Sequence, residues 1–240
     1  MIFLSLNIVL LFSANYEWQS WIDIHKDPDL SVTPFGGVFK HVVDRRPVIS
    51  MQGGWGKVSA AASTQWAIDH YHPDLIINLG TCGGLEGRIN RHEIVLVEKT
   101  WQYDIQEQMT DPLEANRHYS CELNLAWLGN HPIPAGVTRA TMFSADRDIL
   151  ASDVTPLIDQ YAARVADWES GAIAWVSDRN HTLLLILRGV SDLVSPKGGE
   201  SYDNVALYQK NTRKIMEKLA GQLPWWLQTF VESRQITSQV

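Results

Sequence analysis

The chain has 240 residues, enough for one large domain or two small ones, and a core of that size folds without disulfide bridges. A composition of 45% hydrophobic and 20% charged residues is that of a globular protein and excludes disordered, collagen-like and low-complexity classes. With 20 Lys and Arg residues against 27 Asp and Glu residues, the net charge is −7. No basic run is present, which excludes a nucleic-acid or anionic-membrane surface and favours a small-molecule site.

The cysteines and histidines argue against a metal centre. Cys82 and Cys121 can form at most one bridge, which is typical of a reducing cytoplasm. The 8 histidines are scattered, with no His-x3-His pair on a predicted helix. No metal site is therefore predicted.

Apolar runs of strand length recur along the chain and predict buried strands. The first run covers residues 6–12. No Lys or Arg precedes it and Asn7 interrupts it, so it is interpreted as a first strand rather than a signal peptide. The other predicted strands cover residues 47–51, 75–79, 94–97 and 183–187.

Several of the segments between these strands have apolar residues at helical spacing. Helices are predicted over residues 57–70, 171–176 and 204–222, and Pro73 is expected to stop the first of them. In that helix Val58, Ala61 and Trp66 are expected to face the core. Helices between two-sided hydrophobic strands indicate crossover connections and a mostly parallel or mixed sheet, and hence an α/β fold. No repeat, long linker or charge block divides the chain, so one domain spanning residues 1–240 is predicted.

A glycine-rich segment at residues 78–85 follows the predicted strand 75–79. Glycines allow a sharp turn and close approach of the backbone to a ligand, which would meet N–H groups and the Thr81 hydroxyl. Ligands lie at such strand ends in open α/β sheets, so Thr81, Cys82 and Gly83 are candidate binding residues. A tight structural turn would account for the same pattern.

Two further segments place ionisable residues beside buried strands or helices. Glu169 precedes a helix of small residues, and a carboxylate favoured by the helix dipole would also explain its position. Arg188, Ser191 and Asp192 follow the most apolar predicted strand. Desolvation there raises the pKa of a carboxyl group toward that of a proton donor, although a capping contact is the plain alternative.

Four ordered motifs together carry a resemblance to a known family. They are Gly-x-Gly-Lys-Val-x-Ala-Ala at 54–61, Pro-Asp-Leu-Ile-Ile-Asn-x-Gly-Thr-x-Gly-Gly at 73–84, Trp-Glu-x-x-Ala-x-Ala at 168–174 and Arg-x-x-Ser-Asp at 188–192. In this order they resemble the nucleoside phosphorylase superfamily, and the chain is most similar to its 5′-methylthioadenosine/S-adenosylhomocysteine nucleosidases. The resemblance runs from residue 8 to about residue 219. It implies a three-layer α/β/α sandwich around a mixed, partly barrel-like sheet, assembled as a homodimer.

The resemblance also implies roles for individual residues. Asp192 would protonate N7 of a purine, with Ser191 orienting it. Glu17 would activate water, and Glu169 would bind the ribose hydroxyls. The remaining substrate-binding residues implied by the family pattern are Thr81, Cys82, Gly83, Ile149, Trp168, Arg188 and Tyr202.

Two positions depart from the family pattern. Trp168 stands where a methionine normally lies under the ribose. Asp148 stands where an aromatic residue normally stacks on the base, although backbone hydrogen bonds near Ile149 would survive that change. Tyr202, ten residues beyond Asp192, keeps the aromatic that covers the ligand.

The activity implied is hydrolysis of the N-glycosidic bond of a 5′-modified adenosine, without a metal or organic cofactor, in cytoplasmic methionine salvage. Phosphorylases of the superfamily carry an arginine where this chain has Asn78, which favours water as the nucleophile. A phosphate-dependent enzyme that recruits Arg45 or Arg46 is the first alternative. A nucleoside-binding module without turnover, suggested by Trp168 and Asp148, is the second.

Overall fold

The computed structural model describes residues 6–237. Its strands, all in one mixed sheet, are β1 Ile8–Phe12, β2 Ser31–Thr33, β3 Gly36–Val43, β4 Arg46–Gln52, β5 Leu75–Leu85, β6 Ile94–Gln102, β7 Cys121–Glu122, β8 Val137–Ser144, β9 Val165–Asp167, β10 Leu184–Ser195 and β11 Gly198–Gly199. Its α-helices are α1 Asn15–His25, α2 Gly56–Tyr71, α3 Glu114–Tyr119, α4 Ala151–Tyr161, α5 Ser170–Arg179 and α6 Val205–Thr237.

Strand pairing closes part of the sheet into a barrel. β5 pairs with both β9 and β10, β10 pairs with β6, and β8 joins β6 to β9, which completes a ring. On the other side of β5 the sheet continues through β1, β4, β3 and β2. The prediction of an α/β fold with a mixed, partly barrel-like sheet is therefore confirmed.

Alternation along β1 shows why helices cover both faces of the sheet. Side chains on a strand point alternately to opposite faces. Ile8, Leu10 and Phe12 pack in the same apolar cluster as residues of α1 and α6. Val9 and Leu11 pack in the cluster that holds residues of α2 and α5. The three-layer sandwich follows from this two-sided burial.

The first apolar run forms the expected buried strand. β1 lies between β4 and β5 and is parallel to both. None of the helices in the part of the chain that the structure describes is long and apolar enough to cross a bilayer. The single-domain organisation of residues 1–240 stays a prediction.

β5 and β10 are longer than predicted, and the difference changes the interpretation of the glycine-rich segment. The two strands pair in parallel as far as Leu85 and Val194, so residues 78–85 are strand rather than turn. Gly80 and Gly84 are needed because neighbouring side chains pass close to the backbone. A Cβ added at Gly80 would lie 2.0 Å from the Arg188 guanidinium, and one at Gly84 would lie 2.7 Å from Val190.

Two helices also differ from their predictions. α2 exposes Val58, contrary to the prediction, while Ala61 and Trp66 are partly buried against the core as predicted. Its most buried residues are Ala60, Ser63, Thr64 and Ala67, so the buried face is shifted from the predicted one. α6 continues well beyond residue 222, and its second half buries Trp226.

Candidate active site

A cavity of about 720 Å³ opens beside the carboxyl ends of β1 and β8 and the second halves of β5 and β10. Ten of the eleven residues predicted for the site line it: Glu17, Thr81, Cys82, Gly83, Ile149, Trp168, Glu169, Ser191, Asp192 and Tyr202. The carboxyl groups of Glu17, Glu169 and Asp192 are buried in its wall, at 2%, 7% and 7% residue exposure. The fold thus brings together three acidic side chains that are far apart along the chain.

Glu17 reaches the cavity from the first turn of α1, where a carboxylate is favoured by the helix dipole. Its Oε2 accepts a hydrogen bond from the Ala14 N–H at 3.0 Å. Its Oε1 accepts one from the Thr81 N–H at 2.6 Å and one from the Thr81 hydroxyl at 2.8 Å. These three donors hold the carboxylate in a fixed position. A carboxylate can accept about four hydrogen bonds, so Glu17 can accept one more.

Arg188 is the one predicted residue that does not line the cavity. It is fully buried behind the wall, and its Nε lies 3.1 Å from Asp167 Oδ2. Its Nη2 donates to Asn78 Oδ1 at 2.7 Å, and its Nη1 lies 3.7 Å from Glu17 Oε1. The guanidinium therefore serves as the counter-charge for two buried carboxylates. Asn78 helps to hold it there by accepting one of its hydrogen bonds.

Replacing Arg188 with methionine is expected to destabilise the protein by about 3–5 kcal/mol, because removing one partner leaves buried carboxylates without a counter-charge. Urea denaturation of the variant and the wild type would measure the loss. The double variant Arg188→Met/Asp167→Asn is the control, and it should recover part of that free energy. A loss below about 1 kcal/mol in the single variant would contradict this role.

Glu169 ends the segment that enters α5, and its Oε1 accepts a hydrogen bond from the Gly56 N–H at 3.1 Å. Burial and the neighbouring Asp167 carboxylate raise the pKa of Glu169 well above that of an ordinary glutamate. Gly56 is itself fixed because the next residue, Lys57, forms an ion pair with Asp104 at 2.7 Å. The carboxyl group is therefore held firmly and can exchange hydrogen bonds with the hydroxyls of a bound sugar.

Ser191 and Asp192 both reach the cavity because β10 has a bulge between Val190 and Asp192. Consecutive strand residues otherwise point to opposite faces, and a bulge redirects one of them. The Ser191 hydroxyl donates to Asp192 Oδ1 at 2.5 Å. Burial raises the pKa of Asp192, and the hydrogen bond from Ser191 opposes part of that rise. A carboxyl group in this state is suited to donate a proton.

Tyr202 and Ile149 form a linked pair in the cavity wall. The Tyr202 hydroxyl donates to the Ile149 carbonyl at 2.6 Å, and burial raises the pKa of Tyr202 to about 12. Asp148, the departure from the family pattern, also lines the cavity. Its charge contributes to the raised pKa of both Tyr202 and Asp192, so it lies near them.

Asp167 and Tyr208 are among the lining residues that the sequence analysis missed. Asp167 accepts hydrogen bonds from Ser144 and from Ser170 and holds Arg188. Tyr208 lines the cavity, and its hydroxyl lies 3.2 Å from Thr81 Oγ1. An acid directly after Val165 and Ala166, two residues before Glu169, was a usable signal for Asp167. Nothing in the local pattern distinguishes Tyr208 from a core aromatic.

The arginines of the phosphate-dependent alternative lie elsewhere in this chain. Arg45 lies in the turn between β3 and β4, Arg46 is the first residue of β4, and neither is in the cavity lining. Arg46 forms an ion pair with Asp44 at 2.6 Å.

Comparison with protein families gives a match to the model described as "Phosphorylase superfamily" over residues 33–223. A curated relative from Bacillus licheniformis, a 5′-methylthioadenosine/S-adenosylhomocysteine nucleosidase, is 26% identical over 172 residues. That alignment covers 66% of this chain and 73% of the relative.

Solved structures with the same fold include two named hydrolytic enzymes. The Neisseria meningitidis 5′-methylthioadenosine/S-adenosylhomocysteine nucleosidase in complex with methylthio-immucillin-A aligns with a TM-score of 0.70 and 18% identity, covering 95% of this chain and 99% of its own. The futalosine hydrolase of Helicobacter pylori aligns with a TM-score of 0.73 and 16% identity, covering 95% and 98%. At these identities the likeness concerns the fold.

Proposed function

This chain belongs to the phosphorylase superfamily, and from that membership we propose that it is an N-glycosyl hydrolase acting on purine nucleosides. Its substrate is a 5′-modified adenosine such as 5′-methylthioadenosine or S-adenosylhomocysteine. The name of the Bacillus licheniformis relative supports both the reaction and the substrate. The observation that carries the proposal is the meeting of Glu17, Glu169 and Asp192 in one cavity.

The reaction assigns a separate task to each acid. Cleavage of an N-glycosidic bond leaves positive charge on the ribose and negative charge on the departing base. Asp192 donates a proton to N7 of the base, and the raised pKa of Asp192 keeps that proton available. Glu17 accepts a proton from the water that attacks the anomeric carbon. Glu169 binds the ribose hydroxyls and holds the sugar in the reactive position. No step needs a cofactor.

Water, rather than phosphate, is the nucleophile in this proposal. Backbone N–H groups and hydroxyls beside a glycine-rich strand are natural donors for an anion. Here the Thr81 N–H and hydroxyl are already bonded to the Glu17 carboxylate, and a phosphate at the same donors would meet a negative charge. Arg188, whose guanidinium lies 3.7 Å from Glu17, is bonded to Asn78 and Asp167.

The test is incubation with 5′-methylthioadenosine in buffer free of phosphate, with chromatography of the products. We expect free adenine and methylthioribose, at a rate that added phosphate does not change. Adenine released only after phosphate is added, together with a sugar phosphate, would establish the phosphorolytic alternative. Tight binding without release under either condition would establish a binding module.

Assembly and location complete the proposal. We propose a cytoplasmic homodimer engaged in methionine salvage. Both cysteines, Cys82 and Cys121, are free and buried, which suits a reducing compartment. Light scattering after gel filtration should give twice the mass of one chain.

A further inference from the structure

The cavity has a strong excess of negative charge. Its lining carries six carboxyl side chains, which are Glu17, Asp148, Asp167, Glu169, Asp192 and Asp203. Arg147 is the one basic side chain in that lining, and it forms an ion pair with Asp153, which lies outside the lining. Arg188, behind the wall, provides one further positive charge. The cavity stays negative even when Glu169 and Asp192 are both protonated.

Three aromatic side chains border the part of the cavity that would hold the sugar. Tyr16 precedes Glu17, Trp168 precedes Glu169, and Trp55 precedes Gly56, whose N–H is bonded to Glu169. The exposed fractions of these side chains are high for aromatic residues, at 37%, 36% and 57%. Neither Trp55 nor Trp168 has a ring contact with another aromatic side chain among residues 6–237, and both are partly exposed in the cavity lining.

Resting on the proposed function, we infer that, among 5′-modified adenosines, the cavity favours those whose 5′ chain is cationic, with the cation against Trp55 and Trp168 in the negative field of the cavity. Cations are attracted to the faces of aromatic rings, most strongly to tryptophan. Carboxylates around a cleft with low-dielectric walls add a field that favours the same charge. A substituent with a net negative charge, such as a 5′-phosphate or a chain that ends in a carboxylate alone, is repelled by both.

The cavity also has room for such a chain. About 720 Å³ lies within the usual range for cavities that enclose drug-sized ligands. Size alone would admit a neutral or an anionic chain equally well. The inference therefore predicts a preference that depends on the charge of the 5′ chain and not on its size.

The experiment compares three adenosine 5′-thioethers of matched length that end in an ammonium, a methyl or a carboxylate group. We expect the KM of the ammonium compound to be about tenfold below that of the methyl compound, and the carboxylate compound to be about tenfold above it. Both differences should shrink as salt is raised, because exposed charges are screened. Equal KM values for the three compounds, or the lowest KM for the carboxylate, would overturn the inference.

Variants identify the residues responsible. Trp55→Leu and Trp168→Met should each reduce the ratio of kcat/KM between the ammonium and methyl compounds by about threefold to fivefold, and Trp168→Phe should retain most of that ratio. Trp175→Leu is the matched control, because Trp175 lies on α5 outside the cavity lining. An unchanged ratio in both tryptophan variants would remove the aromatic faces from the inference.

Binding separates this inference from the proposed function. If none of the three compounds is cleaved, the proposed hydrolysis fails, and calorimetric titration with the same compounds still measures their dissociation constants. The ammonium compound should then bind about tenfold more tightly than the methyl compound. Equal dissociation constants would overturn the inference whether or not the protein is a hydrolase.

Discussion

Asp192→Asn is expected to lower kcat by about 10²- to 10⁴-fold, because the amide cannot donate the proton that neutralises the departing base. The asparagine fills the same volume and still accepts the hydrogen bond from Ser191, so the fold and the nucleoside affinity should change little. Single-turnover measurement of adenine release, beside a dissociation constant for 5′-methylthioadenosine, separates the two effects. A loss below about tenfold would contradict proton donation by Asp192.

The pH profile gives an independent check of the same role. Because burial raises the pKa of Asp192, its protonated form persists to higher pH than that of an ordinary aspartate. The kcat/KM of the wild type should fall as pH rises through that pKa, since the acid loses its proton. This fall should be absent from the residual activity of Asp192→Asn. Its persistence would assign the titration to another group.

Glu17→Gln is expected to lower kcat by about 10²- to 10⁴-fold, because an amide cannot accept the proton of the attacking water. The substitution also disturbs local hydrogen bonding. Both carboxylate oxygens of Glu17 accept backbone N–H groups, from Ala14 and from Thr81, and glutamine has one acceptor oxygen for these two donors. A cost in stability of about 1–3 kcal/mol should accompany the loss of activity.

Glu17→Asp is the control that keeps the charge. It should retain more stability than the glutamine variant and regain part of the rate if formate is added as an external base. Thermal melts of all three proteins show whether the loss of rate exceeds what unfolding explains. Glu17→Gln activity within tenfold of the wild type, in protein that remains folded, would remove Glu17 from the chemistry.

Much of the arrangement could be predicted from local sequence. The apolar runs located β1, β4, β5, β6 and β10, and the helical spacing located α2, α5 and most of α6. Short-range patterns suffice there because burial on both faces leaves few polar positions in a strand, and because 3.6-residue periodicity survives in a helix that is half exposed. The face of α2 was predicted only in part: Trp66 packs against the core, but Val58 is exposed and the most buried positions are held by small residues such as Ala60 and Ser63. Small residues let the helix pack closely, and small size carries no hydrophobic signal.

The interpretation of Arg188 shows where local reasoning stops. It was grouped with the substrate-binding residues because it begins the motif that ends at Asp192. The structure places the guanidinium behind the wall, bonded to Asn78 from β5 and to Asp167 at the end of β9. Both partners come from distant parts of the chain, and only the pairing of β5 with β9 and β10 brings them together.

The residue types that the proposed chemistry needs, and their order along the chain, were determined by the sequence itself: acids at positions 17, 169 and 192. So were the glycines at 80, 83 and 84. The tertiary structure alone decided that these acids share one cavity, that Gly80 and Gly84 let neighbouring side chains pass close to the backbone, and that a bulge turns Ser191 and Asp192 to the same side. The physical reason is that distances between segments more than a hundred residues apart depend on strand register and on packing against both faces of the sheet, and no local pattern contains that information.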